Sequence, residues 1–428
     1  PAQAQHASLA CGRLKHLLRG RGILVCCTMS CPPRVRSYCV IHPDSEFKDI
    51  KFRHDSTHVE LDARSSQALE EGVTFDKVFL AKSMQDVIFQ EVSKASVYAA
   101  VNHGRSCVFV AVGASGAGKT FSVTGGAKRF ADRGLIPRSI SVLFEALAAR
   151  PDGDKFEVSI SFYEVYKGSV IDLLSDRRRK VTVQPADDAS GPQRPALVGL
   201  LRQAAASESD AYHLLFKGDS NRHFERFPHN PETSRGHVFY VVHVLHVPSG
   251  RQSTLSFVDI AAVISFMTPA TSAIERSLDA LRDVLTALRE GQEPAFDESP
   301  LTQLLRPVLH PAGSESIVLL TALRYCEQAH DETKEWLGFA RLFQDALRRA
   351  KGEVADAEAR PPPPSTTMPH TNGALTAPSL ATAGPSPIAA GPPGKADMAE
   401  AGREAPRRVS ERLSQPAPLP AEAAPAEA

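Results

Sequence analysis

Gly113, Gly118, Lys119 and Thr120 stand in the spacing G-x-x-x-x-G-K-[ST] within the stretch VFVAVGASGAGKTFSVTG (108–125). That pattern is a phosphate-binding loop. Its glycines let backbone N–H groups turn inward around a phosphate with no Cβ in the way. A helix that starts at the loop adds its positive end. Lys119 brings a point charge to the outer phosphates, and the Thr120 hydroxyl is placed for Mg²⁺. Gly113, Ala114, Ser115, Gly116, Ala117, Gly118, Lys119 and Thr120 together form the candidate cradle.

Such a loop needs a strand before it and a helix after it, and the apolar run 106–112 supplies the strand. Elsewhere, strand-like runs cover 34–40, 49–52, 58–61, 73–79, 156–166, 238–247, 254–259 and 316–322, with 169–174 following the long one. Apolar residues at helical spacing predict helices over 85–102, 134–150, 205–216, 272–290, 301–309 and 331–349. In the last of these Trp336, Phe339, Phe343 and Leu347 form the inner face. Strands and helices alternate, which predicts an α/β domain: a central, mostly β sheet flanked by helices on both faces. The domain is expected over 33–350, after a poorly ordered leader at 1–32 and before a Pro/Ala-rich disordered tail at 351–428. The tail holds nearly half of the 32 prolines and no aromatic residue, too little apolar area to offset its chain entropy.

Lys plus Arg and Asp plus Glu both number 49 in 428 residues, so the formal charge is zero. A global field toward nucleic acid or an acidic membrane is excluded, and neither is expected as a partner. No run of 18 apolar residues is present, so no transmembrane helix is expected. The apolar run after the basic residues of 17–27 is too short for a signal peptide, and Met29 is a plausible alternative start. The seven cysteines include no C-x-x-C pair and are odd in number, which fits a reduced intracellular protein with Cys26, Cys27 and Cys31 as apolar filler. No sustained a/d pattern follows Arg349, so no dimerising coiled coil is visible. Glu164 and Asp172 read as solvated strand and loop residues, and His42 as a surface histidine in preference to one stacked on a base.

Several segments, in order, resemble the kinesin motor domain. FDKVF (75–79) resembles F-x-F-D-x-V-F, and the loop with its continuation to Gly125 resembles G-Q-T-G-x-G-K-T-Y-T-M-x-G. GLIPR (134–138), FYEVYKGSVIDLL (162–174), NPETSRGH (230–237), IERSL (274–278) and FDESPLT (296–302) resemble further motifs of the family. The likeness spans about 34–350. It implies a kinesin-type P-loop NTPase that uses ATP and Mg²⁺, moves along microtubules and works in the cytoplasm on the cytoskeleton. Residues 211–222 and 35–43 are most similar to the kinesin-nine class, which implies a cilium or flagellum.

The resemblance also assigns roles. NPETSRGH matches the first switch, N-x-x-S-S-R-S-H. Ser234 then stands as a Mg²⁺ or γ-phosphate contact and Arg235 as the switch arginine. Asp259 opens the second switch and holds the Mg²⁺ shell through water. Ser234, Arg235 and Asp259 are thus the candidate catalytic set, with Thr120, Ser234 and Asp259 as the metal set.

The chain departs from the family after Asp259. Where the family has D-L-A-G-S-E, it reads Asp259-Ile260-Ala261-Ala262-Val263-Ile264, so the γ-phosphate-sensing glycine is Ala262 and the water-ordering glutamate is Ile264. The segment from Asp259 to Ile274 is shorter than usual, and Glu275 replaces an asparagine. On the track face Asp297 and Pro300 stand where the family has arginine and lysine, and Arg276, Arg282 and Arg289 are the candidates to compensate. The expectation is an ATP-binding microtubule motor domain with weak hydrolysis. A non-motile, hydrolysis-impaired structural or regulatory module is the alternative; another P-loop NTPase, such as a GTPase or kinase, is disfavoured.

Overall fold

The computed structural model describes residues 35–42, 52–61, 72–80, 83–126, 129–151, 153–184, 194–227, 230–262, 269–325 and 330–352. The leader, the tail beyond 352, and Val263 and Ile264 lie outside them.

In chain order the strands are β1 (Val35–Ile41), β2 (Phe52–His54), β3 (His58–Leu61), β4 (Val73–Thr74), β5 (Lys77–Phe79), β6 (Cys107–Gly113), β7 (Phe156–Tyr166), β8 (Ser169–Asp172), β9 (Lys180–Gln184), β10 (Ala196–Val198), β11 (Gln203–Ala204), β12 (Phe224–Phe227), β13 (Asn230–Ser234), β14 (His237–His246), β15 (Arg251–Asp259) and β16 (Ser316–Leu323). The helices are α1 (Gln85–Val92), α2 (Lys94–His103), α3 (Lys119–Val123), α4 (Leu135–Ala148), α5 (Glu208–Ser220), α6 (Pro269–Glu290), α7 (Pro300–Leu309) and α8 (His330–Ala350).

The main sheet runs β10-β9-β8-β7-β14-β15-β6-β16-β1-β5, with β11 beside β7. Its middle is parallel: β6 pairs with β15 on one side and β16 on the other, and β16 pairs with β1. A parallel sheet must be covered on both faces. β6 shows this in its residues, since Val108, Val110 and Val112 enter one core and Cys107, Phe109 and Ala111 the other. Residues of α6, α7 and α8 complete the first core; residues of α1, α2, α4 and α5 complete the second. On α8, Trp336, Phe339, Phe343 and Leu347 are all buried, and Trp336 meets Phe339 edge-on at 5.5 Å. This is the α/β architecture expected from the alternation of elements.

Local differences from the expected elements have physical causes. The single helix expected over 85–102 is two helices that meet at Ser93, where φ widens to −117° and the hydroxyl bonds that of Ser139 at 2.8 Å. The run 73–79 is two short strands in different sheets, because β4 pairs with β3 and β5 with β1. Asp76 lies between them, and its carboxylate accepts from Ser37 N–H at 2.6 Å. Glu164 and Asp172 are not solvated: both are fully buried. Asp172 accepts from the N–H groups of Leu174 and Leu201, and Glu164 from that of His223. These backbone donors offset the desolvation of the two carboxylates.

Candidate functional site

β6 ends at Gly113, and the loop turns out of the carboxyl end of the parallel sheet, where α/β sheets bind ligands. Only glycine fits at 113. Its φ is +138°, and a Cβ there would lie 2.0 Å from the Ala322 carbonyl oxygen on β16. Gly116 and Gly118 also have positive φ, 75° and 96°, so the loop curls with its backbone bare toward the cleft. The helix behind it, α3, has five residues, so the loop's own N–H groups rather than a long dipole supply most of the positive field.

Register brings the other strands to the loop. Asp259 ends β15 opposite Ala111 of β6, and Ile260 N–H donates to the Ala111 carbonyl at 3.1 Å. On the far side Asp259 faces Val238 of β14, so residues 234–237 enter the same corner. The result is a cleft of about 310 Å³, lined by Ser115, Gly116, Gly118, Lys119 and Thr120 of the loop, by Ser234, and by Asp259–Ala262.

Lys119 Nζ donates to the carbonyls of Gly113 at 2.8 Å and Ala114 at 2.6 Å. Gly113 and Ala114 therefore act through their backbone beneath the cleft. Burial lowers the Lys119 pKa to about 8, against the pull of Asp259 and Glu332. Glu332, in the first turn of α8, has its own pKa raised by burial and held down in part by Lys119 and by the Ser115 N–H. Thr120 Oγ1 donates to Asp259 Oδ2 at 2.6 Å. Ser234 Oγ donates to the Gly236 carbonyl at 3.1 Å. Thr120, Ser234 and Asp259, all on the cleft wall, offer hard oxygen donors, the chemistry that suits Mg²⁺. The bare glycine curve and the adjacent ammonium suit a polyphosphate. The residues present thus fit both groups.

Arg235 is wholly buried and is not among the residues lining the cleft; its N–H donates to the His223 carbonyl at 3.0 Å. Ala117 is buried within the loop. His42 lines the cleft, contrary to the surface position expected of it: β1 ends beside β16, His42 N–H bonds Leu323 O at 2.7 Å, and its ring approaches Gly118.

Three further residues escaped sequence reasoning. His237 Nδ1 accepts from Ala261 N–H at 3.1 Å and is kept neutral by burial, its pKa lowered to about 3. Arg222 reaches Asp259 Oδ2 at 3.2 Å. Phe121, directly after Thr120, lines the cleft half-exposed. Phe121 and His237 had a local signal, the first beside the loop motif and the second as the last residue of the 230–237 motif.

Of the three arginines on α6, Arg282 is paired with Asp279 at 3.2 Å and with Glu335 on α8, and Arg289 with Glu290 at 3.5 Å. Arg276 is exposed, as are Glu275, Asp283, Glu293, Asp297 and Glu298. Among the described residues no group of three or more His, Cys, Asp or Glu is arranged to hold a metal by itself, and no helix is long and apolar enough to cross a membrane.

Comparison with known proteins places these features in a family. The family model described as the kinesin motor domain matches residues 34–345. The mouse kinesin-like protein KIF9 is 28% identical over 354 residues, covering 76% of this chain and 44% of the relative. The fruit-fly kinesin heavy chain is 28% identical over 283 residues, covering 62% of this chain and 28% of the relative. The chain thus spans less than half the length of these relatives. A solved structure titled "Structure of a fast kinesin: Implications for ATPase mechanism and interactions with microtubules" matches with a TM-score of 0.62 at 24% identity, over 72% of this chain and 91% of the other, a likeness of fold.

Proposed function

The chain belongs to the kinesin motor domain family, and on that premise we propose that it is an ATP-binding microtubule motor domain. The observation that carries the reading is Thr120 Oγ1 on Asp259 Oδ2 at 2.6 Å, beside Lys119 in the loop cleft. This brings together, from positions 139 residues apart, the hydroxyl and carboxylate that a Mg²⁺-nucleotide requires.

In this reading the loop N–H groups and Lys119 bind the phosphates of ATP. Thr120 and Ser234 would hold Mg²⁺, with Asp259 supporting its shell, and the metal would supply neutralisation of phosphate charge. Lys119 exchanges its two carbonyl partners for phosphate oxygens. Arg235 braces the first switch from behind the cleft. His237 fixes the backbone of Ala261, next to Ala262, where the family's glycine senses the γ-phosphate. The site works by positioning and charge, and the departures at Ala262 and Ile264 lower its turnover without removing its grip.

The cytoskeleton is the proposed place of action. A cilium follows from the kinesin-nine likeness alone, and immunolocalisation in ciliated cells tests it. The non-motile alternative rests on the altered residues after Asp259 and is not favoured by the comparisons. The deciding experiment is a steady-state ATPase assay with and without microtubules at low salt, where weak electrostatic binding is unscreened. Microtubule-stimulated turnover that Lys119→Ala abolishes is expected. No stimulation at saturating microtubules would sink the motor reading, and no binding of labelled ATP at millimolar concentration would sink the nucleotide reading too.

A further inference from the structure

Away from the nucleotide cleft, the turn that joins β14 to β15 brings three side chains into series. Ser249 Oγ lies 2.6 Å from Nδ1 of His246, the last residue of β14, and His246 Nε2 lies 2.5 Å from Asp154 Oδ1. A carboxylate only accepts, so Nε2 carries the ring proton. In the neutral imidazole Nδ1 is then bare, and it accepts from the Ser249 hydroxyl. The two nitrogens serve in the reverse of the order usual for a serine nucleophile, its base and an orienting carboxylate, but the roles are the same.

Each member is held. The His246 ring lies 4.8 Å from that of Phe156, its cross-strand partner on β7. Asp154 is steadied by Arg150, 3.6 Å away just past α4, and Arg150 bonds Asn102 on α2. Ser249 and Gly250 are exposed at the tip of the turn. Gly250 has φ +66°, and its N–H makes a long bond, 3.4 Å, to the Val247 carbonyl. That N–H, the first after the nucleophile, is available to an oxygen gaining charge beside Ser249. Asp154 and Phe156 also line a cavity of about 530 Å³, walled further by Phe144, Leu147, Val158 and Leu245. Its volume suits a small organic molecule with an apolar body.

We propose that Ser249, His246 and Asp154 form an acyl-transfer site that hydrolyses small esters with an apolar acyl group. Ser249 Oγ attacks the acyl carbon, its proton passes to His246 Nδ1, and the C=O electron pair moves onto oxygen. The intermediate collapses and expels the alcohol or phenol, which takes that proton from Nδ1. Water then attacks the acyl-serine and gives a proton to Nδ1. The carboxylic acid leaves as Ser249 Oγ recovers the proton, so ester and water become acid and alcohol. Asp154 is a positioning residue that orients the ring through Nε2–H. None of the three lines the nucleotide cleft, so the two sites stand or fall separately.

The test is labelling of the full chain with a fluorophosphonate, which phosphonylates activated serines, read by peptide mass spectrometry beside the release of p-nitrophenolate from its butyrate and acetate esters. Label is expected on Ser249 ahead of every other serine. Ser249→Ala is expected to lose it at an unchanged urea midpoint. His246→Gln and Asp154→Asn are expected to slow labelling and butyrate turnover by roughly 100-fold or more, the size of a general-base contribution. Asp154→Glu keeps the carboxylate and is expected to recover part of that loss, which a residue that only braced the turn would not do. Ala206→Trp, placed on the exposed wall of the cavity, is expected to slow butyrate more than acetate. Labelling of Ser249 no faster than of other serines overturns the proposal, as does a wild-type rate in His246→Gln. Equal slowing of both esters in Ala206→Trp overturns the cavity as the acyl pocket.

Discussion

Lys119 sits where its charge is most useful and least comfortable. Burial lowers its pKa to about 8, so above that pH the empty loop holds a neutral amine. Anionic phosphates restore the proton, so affinity for labelled ATP is expected to fall as pH climbs from 8 toward 10.5, approaching tenfold per unit. The stability of the empty protein moves the other way. The unfolded chain binds the extra proton in that window, so the lysine's penalty is full below pH 8 and relieved above it. A pH-independent ATP affinity from 7 to 10 would contradict this assignment. Gly113→Ala sets a Cβ against a backbone carbonyl at a positive φ, and urea denaturation should show a loss of at least about 2 kcal/mol. At this scale the shape of the loop was legible, because its glycine turns and the placing of Lys119 depend on spacing within eight residues. Glu164, Asp172 and Arg222 were not. Each has a partner remote in sequence that its neighbours do not announce, His223 for Glu164, Leu201 for Asp172 and Asp259 for Arg222, so the sequence reads them as surface charges.

Among the elements, β14 carries two histidines that burial keeps neutral, His237 and His243, both with pKa lowered to about 3. The folded pKa lies below the unfolded value near 6.5, so the unfolded chain takes up protons that the folded one refuses. Stability should therefore fall as pH drops from 6.5 toward 3, by up to roughly 1.4 kcal/mol per unit for each histidine. Urea midpoints at pH 7, 6 and 5 check it, and His243→Gln should flatten the decline. Long strands such as β7 and β14 were legible because alternation or continuous apolar runs report burial directly. The break between α1 and α2 was not, since Ser93 owes its place to Ser139 on α4, 46 residues later. The β12–β13 hairpin was also missed, because its sequence, HFERFPHNPETS, carries no clear period.

For the whole molecule, the face formed by α6 and residues 291–298 carries an excess of exposed carboxylates. Its exposed side chains include Glu275, Asp283, Glu293, Asp297 and Glu298 against Arg276, while Arg282 and Arg289 are matched by neighbouring carboxylates. A track with an acidic surface gains little from such a face. Asp297→Arg is expected to tighten microtubule binding by about fivefold, equivalent to roughly 1 kcal/mol for a surface charge, with the gain fading as salt rises. Cosedimentation at two ionic strengths measures it, and a gain that persists at high salt would speak against an electrostatic origin.

Trp336 is the chain's single tryptophan, one turn along α8 from Glu332, which shares its field with Lys119 in the phosphate loop. It is 6% exposed and lies edge-on to Phe339. Emission excited at the red edge of the protein spectrum thus reports one spot in the molecule, the seam where α8 joins the core. The protein carries its own optical probe one helical turn from the carboxylate that faces the nucleotide grip, with no label to attach and no second indole to subtract.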